Sequence, residues 1–460
     1  MVSGPRNEWR VTRQRTRVRA GTKWRTSQTC AERVWRTPLP SAASTPRRTA
    51  RFRTGSIIGP VTDLETRAAP PGAAALRRAA PALLGYAAVR ALGLLALALW
   101  SAARDKSAYT LLTARWDALW YTRVAERGYG YEVRLPNGDV HSNLAFFPLL
   151  PWLERALAAV TPLSYADAGF VVALLASLAA AWGIFAVADH VYGSHEEGRE
   201  ARPWKGGGGR RVGVCAVLLW AVLPVGIVQS MAYSESLFTA LAAWSLYAVL
   251  TGRWVTAGAL ACLAGLTRPV GLAVVAAVWA AAIASFGRDR GTPGLAKRRA
   301  LGMLLAPLGA AAYVLWVGHR TGNGPLGYLD VQAGWRNGFD GGYAFARFVA
   351  DKFTSLPSAL AGVGLIVGVG LVVWLYVVCV RQAQPLPLLV YAGVVTALAL
   401  CASSYFGSKP RLLMPAFPLL LPLALALARL RTPRSALVLG TVAAACATYG
   451  AFWLNGSGPP

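Results

Sequence analysis

Five charged positions stand in surroundings too apolar for ordinary surface residues, and their side chains suit group transfer at a phosphate. The segment RWDALWYTRVAERGYGYE, residues 115–132, carries Asp117 among aromatics. MAYSESLF, residues 231–238, puts Glu235 between two serines, and GLTRPVG, residues 265–271, holds Arg268. SYFGSKPRLLMPAFP, residues 404–418, adds Lys409 and Arg411. A carboxylate beside a cavity is a candidate general base. Guanidinium groups take phosphate oxygens in a fixed fork. An acid at membrane depth is costly and faces a cavity or a partner. Plainer readings stand beside these: Asp117 as a solvated acid on an interfacial helix, and Arg268 as a cation reaching from a helix end to water.

Aromatic residues surround the acid. Trp116, Leu119, Trp120 and Arg123 recur at helical spacing, which predicts an amphipathic helix at the membrane surface, with Tyr121 a turn beyond Asp117. AFFPLLP, residues 145–151, supplies Phe146, and YLDVQAGWRNGFDGG, residues 328–342, supplies Gln332 and Trp335 with the acids Asp330 and Asp340. Rings beside a carboxylate suit a carbohydrate site and suit an interfacial anchor equally. Other patterns carry no chemistry. Gly206–Gly209 lacks the Lys-Ser/Thr of a phosphate loop, His141, His190, His195 and His319 are scattered, and the six cysteines show no metal-type spacing.

The elements that position these residues follow from composition. The 460 residues carry a net charge of +27, yet 55% are hydrophobic and only 15% charged, with a mean hydropathy of +0.42; soluble proteins hold about 25% charged residues. The charge is segregated. Residues 1–78 hold 17 Lys/Arg and four acids, leaving 30 and 16 for the rest. Disordered, collagenous and disulfide-scaffold classes are excluded for the body. Its composition predicts an all-α polytopic membrane protein of eleven transmembrane helices, near 81–103, 165–189, 212–230, 236–252, 254–267, 269–286, 301–317, 356–380, 386–402, 412–428 and 435–454. The run 144–163, interrupted by Pro148, Pro151, Glu154 and Arg155, reads as a partly buried or re-entrant segment.

With eleven spans, the Lys/Arg clusters at 77–78, 199–211, 288–299 and 429–434 all fall on one face, the cytoplasmic one. The opposite face receives the long loops 104–143 and 318–355 and the short turns bearing Glu235, Arg268, Lys409 and Arg411. Residues 1–78 read as a basic, disordered cytoplasmic tail, fit for anionic lipid or nucleic acid, or else as the product of a start placed too far upstream. Residues 79–454 form the multispanning domain and 455–460 a short external end.

Four blocks, RWDALWYTRVAERGY (115–129), AFFPLLPWL (145–153), AYSESLF with GLTRPVG (232–238 and 265–271) and KPRLLMPAFPLL (409–420), resemble the PIG-V-like mannosyltransferases, relatives of GPI mannosyltransferase II in the GT-C glycosyltransferase superfamily. The likeness runs over residues 80–454, with no counterpart for the tail. It implies a GT-C-like enzyme of the bacterial plasma membrane, working on the extracytoplasmic side. Its donor would be a polyprenyl-phosphate sugar, mannose by family, and its acceptor a glycan or glycolipid. The family's Trp-Asp pair maps onto Trp116 and Asp117 and makes Asp117 the general base. Trp116, Trp120, Tyr121, Phe146, Glu235, Arg268, Gln332, Trp335, Lys409 and Arg411 become substrate-binding candidates. Pro269 stands where the family usually has a small polar residue. A lipid phosphate leaves readily, so the scheme needs one carboxylate, unlike a glycosidase. It needs no cofactor or metal, although an ion at Glu235 stays open. Membrane lipids are expected partners and nucleic acid is not. A transporter or glycolipid flippase is the alternative, and a non-catalytic scaffold a third reading.

Overall fold

The computed structural model describes residues 72–193, 208–286, 293–403, 405–456 and 458. The expected tail, up to residue 71, lies outside them, as do Arg199, Arg202, Lys205, Arg288 and Arg290 of the basic clusters. In chain order the helices are α1 (Gly72–Ala102), α2 (Ala108–Thr113), α3 (Asp117–Arg127), α4 (Leu149–Val160), α5 (Tyr165–Gly193), α6 (Gly209–Ala221), α7 (Ser234–Leu250), α8 (Trp254–Gly265), α9 (Leu272–Phe286), α10 (Pro293–Leu305), α11 (Leu308–Thr321), α12 (Gly327–Gly334), α13 (Tyr343–Ala350), α14 (Leu356–Arg381), α15 (Leu386–Cys401), α16 (Lys409–Leu413), α17 (Leu421–Arg429) and α18 (Thr432–Leu454). Strands β1 (Glu132–Arg134) and β2 (Val140–Ser142) form an antiparallel hairpin with Val133 opposite His141. Strands β3 (Gly338–Phe339) and β4 (Ala402–Ser403) also pair antiparallel, joining the second long loop to the end of α15.

Among the described residues six helices are long and apolar enough to cross a membrane: Gly72–Ala102, Tyr165–Gly193, Pro269–Phe286, Gly294–Thr321, Leu356–Arg381 and Thr432–Leu454. Phe406–Leu413 and Phe417–Arg429, bent by 74° between them, make up to seven. The chain is an integral membrane protein, but the expected count of eleven is not confirmed. The remaining expected spans fall on α6, α7, α8 and α15, which have 13, 17, 12 and 16 residues. At 1.5 Å per residue these reach about 18 to 26 Å, short of a hydrocarbon core of about 30 Å. The span expected at 212–230 is broken where α6 stops at Ala221 and a 3-10 turn, Gly226–Ser230, follows Pro224. The first span also begins earlier than expected, at Gly72 rather than 81.

The short helices are the interior. Ser234–Leu237, Phe238, Ala242, Ala243 and Leu246 of α7 are buried, and Tyr86 of α1 stacks on the fully buried Trp220 of α6 at 5.5 Å. Small residues let backbones meet, as in other helix bundles that pack without a large apolar driving force. A methyl at Gly258 of α8 would run into the backbone of Gly302 of α10.

Contacts at the helix ends define two poles. At one, Arg78 of α1 pairs with Asp189 of α5 (Nε to Oδ2, 2.6 Å), Arg210 donates to the Arg78 carbonyl, and Arg211 donates to that of Leu430. At the other lie α2, α3, the β1–β2 hairpin and α4, followed in the chain by α12 and α13. Lys106 and Arg115 there donate to the carbonyls of Asn455 and Leu454, at the far end of α18.

Two local expectations change in detail. Helix α3 forms as expected, but its buried stripe is Ala118, Tyr121, Val124 and Ala125, while Leu119 is exposed. The run 144–163 becomes the 12-residue α4, whose Glu154 is fully buried against Gly169 of α5 with no hydrogen-bond partner among the described residues.

Candidate active site

Each charged residue of the site is aimed by a break in regular structure. Trp116 precedes α3 with φ 51° and ψ −124°, a conformation unfavourable for a bulky L-residue, and it sets Asp117 at the first position of the helix. Glu235 stands in the first turn of α7, where a helix favours negative charge. Pro269 forces the residue before it out of the helical region. Arg268 is accordingly extended (φ −162°, ψ 154°) in the gap between α8 and α9. This proline therefore helps project the arginine. Arg411 lies on α16, before the 74° bend.

These four side chains meet. Arg411 Nη1 donates to Asp117 Oδ2 at 2.7 Å, and its Nε lies 3.2 Å from Glu235 Oε1. Arg268 forms an ion pair with the same Glu235 oxygen. Arg268 Nη1 also donates to the Ser234 hydroxyl at 3.3 Å, and that hydroxyl shares a 2.7 Å hydrogen bond with Tyr121. The result is a ladder of two acids and two guanidiniums, neutral in sum. It is graded in depth: the Glu235 side chain is 1% exposed, Arg411 11%, Arg268 14% and Asp117 26%. Asp117 is thus the acid that faces outward.

Two members of the ladder's frame were not anticipated from sequence. The fully buried Tyr233 puts its ring under the Arg411 guanidinium at 5.2 Å, and its hydroxyl accepts the Asp117 backbone N–H at 3.3 Å. Ser234, adjacent to it, is the bridge between Tyr121 and Arg268. A tyrosine and a serine at a helix start carry no signal of their own. Their adjacency to Glu235 is the one signal that marks them.

Beside the ladder four of the predicted aromatics form one cluster. Trp120 stacks on Phe146 (5.6 Å) and meets Trp335 edge-on (4.9 Å), while Tyr121 meets Phe146 edge-on (5.2 Å). Trp335 stacks on His141 at 4.0 Å and donates to the Ser142 carbonyl, tying the second loop to the first. Burial against this ring pushes the His141 imidazole down from its ordinary value, toward the neutral form. The glycines after α3 serve the turn: Gly128 and Gly130 have φ of 76° and 122°, and the buried Asn143 bonds to both backbones.

Other expected site residues lie elsewhere. Lys409 donates to the carbonyls of Ala399 and Ala402, closing the end of α15, and sits 5.4 and 5.6 Å from the rings of Phe345 and Phe406. It fastens the bend that carries Arg411 and does not reach the acids. Gln332 bonds to the Ala145 carbonyl, the Tyr328 hydroxyl and Asn337, a joint between loops. Trp116 takes the Arg115 guanidinium over its ring at 4.0 Å. Asp340 accepts from the amides of Ala344 and Gly342, which hold its carboxyl below the usual range and tie it to the first turn of α13. Among the described residues no three His, Cys, Asp or Glu side chains gather as a metal site.

No family model matches the chain, and no curated protein matches it. Of the solved structures that are similar in part, two serve as examples. One is ArnT from Cupriavidus metallidurans in the apo state, with a TM-score of 0.42 and 17% identity over 69% of this chain and 55% of that one. The other is the archaeal oligosaccharyltransferase AglB from Archaeoglobus fulgidus in complex with an inhibitory peptide and a dolichol-phosphate, with a TM-score of 0.41 and 11% identity over 82% and 56%. The chain spans little more than half the length of either.

Proposed function

We propose that the chain is a membrane glycosyltransferase that moves a sugar, mannose by the likeness of its motifs, from a polyprenyl-phosphate donor to a glycan or glycolipid acceptor on the extracytoplasmic side of a bacterial plasma membrane. One observation carries this reading: Asp117, Glu235, Arg268 and Arg411, from four separate segments, converge beside an aromatic cluster. In this scheme Asp117 removes the proton of the acceptor hydroxyl as its oxygen bonds to the anomeric carbon. The bond from that carbon to the phosphate oxygen breaks with its electron pair on the phosphate, where Arg411 and Arg268 meet the growing charge. The rings of Trp120 and Trp335 would flank the sugar. Glu235 holds the two guanidiniums in place rather than touching substrate.

A transport reading needs charged groups along a path between the poles. Arg90, buried midway along α1, instead donates to the carbonyls of Ala221 and Gly226.

The test is transfer of label from radiolabelled polyprenyl-phosphate mannose in membranes carrying the protein or its Asp117→Asn form. Label is expected in a new glycan with the intact acid only, the variant losing roughly 10²- to 10⁴-fold in rate. Full activity in the variant removes Asp117 as the base. No transfer from mannose, glucose or arabinose donors, with native lipid extract as acceptor, removes the enzyme reading.

A further inference from the structure

Asp117 and Glu235 share one guanidinium and hold it differently. Glu235 lies beneath, 1% exposed, in contact with both arginines. Taking it away would leave Arg268 without its acid and Arg411 with Asp117 alone, so the inner pairs are fixed. Asp117 is a quarter exposed and bound to Arg411 through one oxygen, at 2.7 Å. Such a pair is worth little once solvent or another anion can compete. The resting ladder is neutral, so the fork that would hold a phosphate is already occupied by a carboxylate. A phosphate oxyanion arriving at Arg411 must therefore compete with Asp117.

Resting on the glycosyl-transfer reading, we propose that the Arg411–Asp117 pair is a latch opened by the donor: the phosphate diester of the lipid takes Arg411, and Asp117 is released toward the acceptor. A carboxylate parted from a guanidinium accepts a proton more readily than one bound to it. The base is thus armed only when the donor is seated, and an acceptor hydroxyl arriving first meets a carboxylate still tied to its cation. The frame for such an exchange is present. Glu235 keeps Arg411 from following the acid, the Tyr233 ring lies under the guanidinium, and the Tyr233 hydroxyl keeps the Asp117 backbone in place while its side chain turns.

The experiment measures binding and needs no turnover. The purified full chain in lipid nanodiscs is titrated by calorimetry with a short prenyl methyl phosphate diester, with the matching prenyl alcohol, and with inorganic phosphate. Asp117→Asn and Asp117→Ala are each expected to bind the diester about tenfold tighter than the unaltered protein, a change of about 1.4 kcal/mol, while the alcohol binds all three alike. The same tightening with inorganic phosphate supports the latch and assigns it to the phosphate group alone. Tightening with the diester only supports it and assigns it to the lipid head group. Two variants guard against a folding defect in either, and melting temperatures identify one. Equal or weaker diester binding by both folded variants overturns the latch and leaves Asp117 as base untouched. Absence of diester binding by every form overturns the latch together with the lipid-phosphate donor.

Discussion

The two acids of the ladder carry the same charge and face opposite consequences on neutralisation. Glu235→Gln leaves Arg268 and Arg411 without their buried anion, and is expected to cost about 3 to 5 kcal/mol, read as a loss of folded protein or a large fall in melting temperature in detergent. Asp117→Asn, at the exposed rim, is expected to stay within about 1 kcal/mol of the parent. Its melting curve should nearly overlay the parent's while transfer is lost. Tyr233→Phe keeps the ring under Arg411 and removes the acceptor of the Asp117 amide. A hydrogen bond of that kind contributes about 0.5 to 1.5 kcal/mol. The expected result is a similarly small stability loss with kcat down about tenfold, in line with about 1.4 kcal/mol, and KM for the donor unchanged. A change in KM alone would assign Tyr233 to binding instead.

At the scale of elements, the site is set by what interrupts helices. The extended backbone at Arg268 follows from Pro269, and the bend beyond Arg411 is fastened by Lys409. Packing of the short helices is equally specific. Gly258→Ala should force α8 and α10 apart and cost about 1 to 3 kcal/mol, seen as a lower melting temperature with the aromatic cluster undisturbed. The charged members of the site were legible because Asp117, Glu235, Arg268 and Arg411 break apolar runs, where charge is costly enough to need a reason. Tyr233 and Ser234 were not, since neither breaks any pattern. Lys409 lies apart from the ladder, on the carbonyls of Ala399 and Ala402, and in sequence a cation at a helix end looks the same whether it binds carbonyls or an anion. The span count stays unconfirmed for a related reason: a run such as that of α7 is equally apolar whether it crosses lipid or is buried on all sides by its neighbours.

Across the whole molecule, the two poles carry different sets of charged contacts. The Arg78–Asp189 pair and the Arg210 and Arg211 contacts mark one, and the ladder lies at the other. If the basic pole is cytoplasmic, a cysteine at the exposed Thr354, just before α14, is expected to react with an impermeant maleimide on intact cells. One at Arg434, in the first turn of α18, should react only after lysis; the reverse pattern inverts the orientation. The same long-range assembly has a consequence in time. Arg411 follows Asp117 by 294 residues, a delay of roughly 15 to 60 s at ribosomal rates of about 5 to 20 residues per second. Arg268 emerges soon after Glu235, so the inner pair can form early, but the outer rung waits for the segment that carries Arg411. A nascent chain halted before that point holds both acids and no finished site. A site that needs all four residues is therefore complete only once residue 411 has been made.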